Sequence, residues 1–216
     1  MIITHNKEID SFFKKGGTGL AVFYGEGGSG KSCFVLMNVL EKLKEKKRVL
    51  FFDTENSFSL ERFQQISDNN YKKYMDNLIL IKISNFSKQH KQLTSIDEKL
   101  LKDVSLIVVD SMNNYFRRLF GKKQDLSKGM LGKQLRCLRL ISKKIPVIVT
   151  SQVYTDFKKK DIRMFGDDIF KKFCDVKVKL DKGLRKKIFI LEKPIKKEVL
   201  FDIVNTGVKY YEETES

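Results

Sequence analysis

Gly25-Glu26-Gly27-Gly28-Ser29-Gly30-Lys31-Ser32 matches the pattern G-x-x-x-x-G-K-[ST] at every fixed position. The apolar run Leu20-Ala21-Val22-Phe23-Tyr24 precedes it, and Cys33-Phe34-Val35-Leu36-Met37-Asn38-Val39-Leu40 follows. The first reads as a buried strand and the second as a helix. Strand, glycine loop and helix together define a phosphate site. The glycines let the backbone turn tightly, so successive N–H groups face an anion. The helix start adds partial positive charge. Lys31 would reach the β- and γ-phosphates, and the Ser32 hydroxyl would ligate Mg²⁺. The candidate nucleotide contacts are therefore Gly25, Glu26, Gly27, Gly28, Ser29, Gly30, Lys31, Ser32 and Cys33.

Apolar runs alternate with helical patterns on both sides of this loop, which predicts an α/β fold with a mostly parallel sheet. The strand candidates are Leu20–Tyr24, Arg48–Asp53, Leu78–Ile83, Ser105–Asp110 and Pro146–Thr150. Helical stretches fall near 31–46, 59–75, 88–102 and 127–144. Beyond residue 172 the pattern changes to three strands, Cys174–Leu180, Lys186–Leu191 and Val199–Val204, joined by short turns. A parallel core with a C-terminal antiparallel extension is the expected plan. The 216 residues suit a single domain, with a frayed tail from Glu212 to Ser216.

Three other segments supply candidate chemistry. Leu106-Ile107-Val108-Val109-Asp110 is an apolar strand ending in an acid, the form of a Walker B segment, so Asp110 is the expected partner of Mg²⁺. Phe51-Phe52-Asp53-Thr54-Glu55 ends another strand. Glu55 there reads either as the group that orients an attacking water or as an acid near a helix N-terminus. Ile148-Val149-Thr150-Ser151-Gln152 is a third strand exit. Gln152 reads as a γ-phosphate sensor or as a polar loop residue.

The chain carries 43 Lys and Arg against 27 Asp and Glu, a formal charge of +16, which favours a polyanionic partner. Only eight of the 43 cations are arginines, a balance that a lysine-biased proteome also produces. Two basic segments follow strand exits. Tyr115-Phe116-Arg117-Arg118-Leu119-Phe120-Gly121-Lys122-Lys123 reads as a loop of aromatics and cations, and Tyr154-Thr155-Asp156-Phe157-Lys158-Lys159-Lys160 follows Gln152. Cations for phosphates beside rings for bases suit single-stranded DNA. Phe116 and Phe120 read equally well as core residues. The cysteines, Cys33, Cys137 and Cys174, are odd in number and lack metal-type spacing, which points to a reducing, cytoplasmic setting. No apolar run is long enough to cross a bilayer, and no signal peptide is evident.

These segments in this order resemble the RecA/RadA recombinase superfamily, and within it the short archaeal RadB-type paralogues. The carriers are GEGGSGKS at 25–32, FFDTENSFSLERF at 51–63, LIVVDSMNNYFRR at 106–118, GKQLRCLRLISKKIPVIVTSQVY at 132–154 and FILEKP at 189–194. The resemblance implies a RecA-like P-loop ATPase core over residues 1–216, without the separate N-terminal helical DNA-binding domain of full recombinases, and so without their usual filament assembly. It implies ATP and Mg²⁺ as cofactors, Glu55 as the catalytic glutamate, Lys31 as the phosphate lysine and Gln152 as the γ-phosphate sensor. Arg62 would lie near the nucleotide base. Residues 112–130 would form a first DNA loop and 154–172 a second, lysine-rich and helical one, which makes Arg117, Arg118, Lys122, Lys123, Lys158, Lys159 and Lys160 the candidate DNA contacts.

The implied function is an accessory role in homologous recombination and DNA repair. Its expected partners are DNA, single-stranded above all, a full-length recombinase or other repair protein, and a possible second copy. Two further classes compete: a nucleotide-gated protein-binding module without significant hydrolysis, and a RecA-fold signalling ATPase of the circadian-clock type. No arginine stands out as a finger in cis, so hydrolysis should be slow, since a missing cation costs on the order of 10³–10⁵ in rate. Lys193 is the candidate for such a cation in trans.

Overall fold

The computed structural model describes residues 2–16, 19–119, 124–156 and 161–211. In chain order the elements are α1 (Lys7–Gly16), β1 (Leu20–Tyr24), α2 (Lys31–Lys44), β2 (Arg48–Asp53), α3 (Leu60–Ile66), α4 (Lys72–Met75), β3 (Leu78–Lys82), α5 (Phe86–Thr94), α6 (Glu98–Leu101) and β4 (Val104–Asp110). Then come α7 (Asn114–Leu119), α8 (Gln124–Ile141), β5 (Val147–Ser151), β6 (Val153–Asp156), β7 (Asp161–Met164), α9 (Asp167–Phe173), β8 (Val176–Asp181), β9 (Lys187–Lys193), β10 (Lys197–Val204) and β11 (Gly207–Tyr210).

Nine strands form one sheet in the order β11-β10-β9-β8-β1-β5-β4-β2-β3. The run from β3 to β8 is parallel, and β9, β10 and β11 continue it in antiparallel pairs. Strand β1 is buried at all five positions because both faces of the sheet are covered. Ala21 and Phe23 join α2 and α3 in one core, while Leu20, Val22 and Tyr24 join the layer containing α5, α8 and α9 in the other. This alternation explains why the run is continuously apolar rather than patterned with period two.

The expected plan of parallel core and antiparallel extension is present, and β1 and β2 have the expected bounds. Five features differ. The helix expected over 59–75 is two, because Ser67 caps α3 and Asp68 and Asn69 take left-handed φ of 50° and 59°. The helix expected over 88–102 is also two, since Asn85 caps α5 and Asp97 caps a new start at α6. The loop expected at Tyr115 begins as helix α7, with Phe116 fully buried in the core. Within the second expected DNA loop, 154–172, helix is described only at α9, which starts at Asp167, and ahead of it β6 and β7 pair antiparallel, from Val153 opposite Met164 to Asp156 opposite Asp161. The short β11 was not anticipated. It begins at Gly207, whose φ of 133° and contact with Met37 Sδ (2.9 Å from a would-be Cβ) leave room for glycine alone.

The antiparallel extension braces the phosphate-loop helix. The Phe34 ring of α2 lies 5.3 Å from both Phe189 and Phe201, and a Cβ on Gly30 would meet Phe201 and Ile203 at 3.4 Å. Phe201→Ala is expected to destabilise the protein by about 3–5 kcal/mol, as truncation of a fully buried aromatic does, read as a lower urea midpoint at unchanged slope.

Candidate functional site

Four parallel strands deliver the site from their C-terminal ends. Strand β1 feeds the glycine loop, β2 ends before Glu55, β4 ends at Asp110 and β5 ends before Gln152. Strand β1 has β5 and β8 as neighbours, while its own successor β2 lies beyond β5 and β4. Such a topological switch leaves a crevice at the carboxyl ends. A cleft of about 680 Å³ opens there, lined by Gly25, Glu26, Gly27, Gly28, Lys31, Ser32, Glu55, Ser57, Asp110, Arg117, Gln152, Val153, Tyr154, Thr155 and Lys182.

The glycine loop has the shape its pattern requires. Gly25, Gly28 and Gly30 have φ of 153°, 77° and 112°, and a Cβ on Gly27 would meet nothing within 4 Å. The Lys31 ammonium donates to the carbonyls of Gly25 (2.7 Å) and Glu26 (2.8 Å). Burial pulls it below the usual lysine range, opposed by the carboxylates of Asp110 and Glu55. Burial pushes Asp110 up to about 6, helped by Glu55 and Asp53 and opposed by the hydroxyl of Thr150, which donates to its Oδ1, and by Lys31. A half-buried lysine and a buried carboxylate facing one open, glycine-lined cradle fit a nucleotide phosphate with a hard divalent cation. Ser32 and Asp110 both line the cleft and would be the residues to hold such a cation. Among the described residues, no three His, Cys, Asp or Glu side chains form a metal cage by themselves.

Glu55 and Gln152 meet directly. Glu55 Oε1 accepts from Gln152 Nε2 at 2.6 Å and from the Ser111 hydroxyl. Both are held from behind by residues that sequence patterns did not mark. Asp53 accepts from the N–H groups of Glu55, Ser57 and Phe58, each at 3.1 Å, and so shapes the turn that carries Glu55. Asn114 donates to the Thr54 carbonyl at 2.7 Å. The fully buried Asn113 accepts from Gln152 N–H and donates to the Gln152 carbonyl, both at 2.9 Å, and reaches the Phe165 carbonyl at 3.5 Å. Asn113 thus clasps both ends of the β6–β7 hairpin. Two adjacent asparagines just after a strand-end acid are the signal of this in the sequence.

Several predicted contacts lie elsewhere. Cys33 is buried, and its thiol touches the Gly207 carbonyl (3.4 Å) rather than the cleft. Arg62 is not a cleft residue. Its guanidinium donates to the carbonyls of Val204 (2.6 Å), Gly207 (3.3 Å) and Asn205 (3.4 Å). Helix α3 aims it at the β10–β11 turn, where the ladder closes on Val204 opposite Gly207. The Ser29 hydroxyl is buried without a hydrogen-bond partner, and Gly30 caps α2 behind the cleft. No arginine stands out from the sequence as a finger in cis, and Arg117 lines the cleft. Arg118 is exposed, its guanidinium 5.4 Å from the Tyr115 ring. Lys193 donates to the Cys174 carbonyl of its own chain at 2.7 Å. Lys122, Lys123, Lys158, Lys159 and Lys160 lie outside the described residues.

The Rad51 family model matches residues 1–210. The chain belongs to the Rad51 family. Within it, the chain resembles the RadB branch. A DNA repair and recombination protein RadB of Thermococcus sibiricus is 30% identical over all of this chain and 98% of its own. One of Thermoplasma volcanium is 32% identical over 86% of this chain and 81% of its own. The crystal structure of the RadB recombinase superposes with a TM-score of 0.80 at 27% identity, covering 98% of this chain and all of that one. This Rad51-family chain therefore has the RecA-like architecture that its phosphate loop and strand ends announced. Among its described residues no helix is long and apolar enough to cross a membrane.

Two outcomes follow from the site. Asn113→Ala should cost about 2–3 kcal/mol, because it leaves buried groups of Gln152 unpaired, and hydrogen exchange should rise first across residues 152–165. The raised Asp110 pKa means that the folded state holds a proton which the unfolded chain releases, so this group's contribution to apoprotein stability is full below about pH 4 and is lost as pH rises through about 6. Asp110→Asn should accordingly stabilise the apoprotein by about 3 kcal/mol at pH 8 and far less at pH 4.5, measured by urea unfolding at both.

Proposed function

We propose that this Rad51-family protein binds ATP with Mg²⁺ in the cleft and couples it to single-stranded DNA, as an accessory of homologous recombination and DNA repair in the cytoplasm. One observation carries the reading. The phosphate loop, the Glu55–Gln152 pair and the base of the β6–β7 hairpin share one cleft. A change at the phosphate end therefore reaches the hairpin through a single side chain. The names of the relatives, DNA repair and recombination proteins, support the pathway, and the charge of +16 supports a polyanionic partner.

The backbone N–H groups of Gly25 to Ser32 would cradle the phosphates, with Lys31 between the β- and γ-phosphates. Mg²⁺ would neutralise phosphate charge, with Ser32 and Asp110 its protein-side holders. Glu55 would orient water toward the γ-phosphate. In the described structure its carboxylate is held by Gln152 and Ser111, so a γ-phosphate that bonds Gln152 would release Glu55 and shift the hairpin together. Arg117 stands at the junction of cleft and α7, where it serves phosphate or DNA. The exposed Tyr154, its ring 4.7 Å from Phe165, offers a stacking face for a base. A full-length recombinase is the protein partner that a short paralogue with this core would assist.

The test is ATP turnover by wild type, Lys31→Ala and Glu55→Gln, with and without single-stranded DNA, at two salt concentrations. Slow wild-type turnover that DNA stimulates is expected. Lys31→Ala should lose nucleotide binding, and Glu55→Gln should keep binding while losing on the order of 10²-fold or more in turnover. DNA affinity should fall steeply with salt. Equal ATP binding by wild type and Lys31→Ala would sink the reading. ATP binding with no turnover above that of Glu55→Gln would replace it with the nucleotide-gated binding module.

A further inference from the structure

Strands β1 and β8 are parallel neighbours, with Tyr24 opposite Lys179. Their carboxyl ends therefore emerge side by side. One becomes the phosphate loop, and the other becomes the turn Asp181–Lys186. The contact is close: a Cβ on Gly25 would lie 2.1 Å from the Leu180 carbonyl. The turn is also fixed in shape. Gly183 has φ of 58°, a Cβ there would meet the Lys186 carbonyl at 2.0 Å, and its N–H donates to Asp181 Oδ1 at 3.2 Å. Lys187 pins the far side of the turn by donating to the Gly28 carbonyl at 2.9 Å.

This geometry puts Lys182 over the loop. Its Cε lies 3.8 Å from where a Cβ on Gly28 would be, it lines the cleft, and its ammonium pairs with Glu26 Oε2 at 3.6 Å. Both partners are about half exposed, at 49% and 45%, so the pair is weak and easily exchanged. Glu26 is an acid inside an anion-binding loop, where its charge opposes the ligand unless a cation covers it. The Lys182 charge also acts on Lys31 through space, so the two ammoniums face one region.

We propose that Lys182 is a second phosphate-contacting cation, which leaves Glu26 when nucleotide enters and bonds the terminal phosphate. The site then distinguishes ATP from ADP by a residue of the same chain. The loop's own N–H groups serve the inner phosphates, Lys31 spans the β- and γ-phosphates, and Lys182 approaches from the Glu26 side, over the mouth. A charge-assisted bond to phosphate is shorter and stronger than an exposed carboxylate pair, so the exchange favours the nucleotide-bound arrangement.

The inference rests on the ATP reading above, and calorimetric titration separates the two. The ligands are Mg²⁺-ADP and Mg²⁺ with an ATP analogue that has a non-hydrolysable β–γ link. The proteins are wild type, Lys31→Ala, Lys182→Ala, Lys182→Arg and Glu26→Gln. Lys182→Ala should weaken the ATP analogue about tenfold and ADP less than about threefold. Lys182→Arg should restore most of the loss, and Glu26→Gln should tighten the analogue. Lys182 is half exposed on a turn held by glycine and Lys187, so its truncation leaves the fold intact, and equal urea midpoints check this. An unchanged analogue affinity in Lys182→Ala, with Lys31→Ala impaired, overturns the inference and leaves the ATP reading standing. Equal losses for both nucleotides also overturn it, because the contact would then be with an inner phosphate. Failure of wild type to bind either ligand removes both.

Discussion

Burial of β1 between two parallel neighbours is the constraint on which the rest of the molecule depends. Every residue of the strand is out of water, and the strand is paired along both edges, with β5 and with β8. Its end therefore cannot drift, and the glycine loop starts from a fixed point. The same parallel arrangement puts the ends of β2, β4, β5 and β8 at the same edge of the sheet. Five segments distant in sequence so arrive at one cleft, and the cores on the two faces hold their heights relative to one another.

The cleft concentrates charge at an energetic cost that the packing sustains. Asp110 is nearly fully buried, within reach of Lys31, Glu55 and Asp53. Burial disfavours the charge on Asp110 and on Lys31, and the two groups face the same cleft. Around them the polar second layer is well satisfied. Asp53, Asn113 and Asn114 spend their hydrogen bonds on backbone groups of the turns that carry Glu55 and Gln152, Thr54 ties to the backbone of Asp110 and Ser111, and the Ser111 hydroxyl donates to Glu55 itself. The functional side chains are thus placed by buried side-chain-to-backbone contacts, whereas those on the opposite side of α2, Cys33 and Arg62, serve the scaffold by tying α2 and α3 to the β10–β11 turn.

The Rad51 fold was legible because its cues are local. A glycine loop between an apolar strand and a helix, and an acid at the end of a buried strand, are written in consecutive residues. So were β1 and β2, whose continuous apolar runs reflect coverage on both faces. The helices between Leu60 and Leu101 were less legible. Their breaks rest on left-handed residues at 68 and 69 and on a new cap at Asp97, and short polar residues of that kind also occur within helices. The β6–β7 pairing was hidden because the lysine run between the two strands reads in sequence as a solvated helix, and only the pairing of Val153–Asp156 with Asp161–Met164 reveals the strands.

By itself, the sequence determined the phosphate loop, the acids at the strand ends, the alternation of strands with helices and the cationic excess. Each of these is a property of neighbouring residues or of composition. Only the tertiary structure decided which cations and acids share a cleft. It turned Arg62 toward the β10–β11 carbonyls, brought Arg117 to the cleft, gave Asn113 to both ends of a hairpin and set Lys182 over the loop beside Glu26. These pairings join residues from 39 to 156 positions apart, and the order of strands in the sheet brings them together.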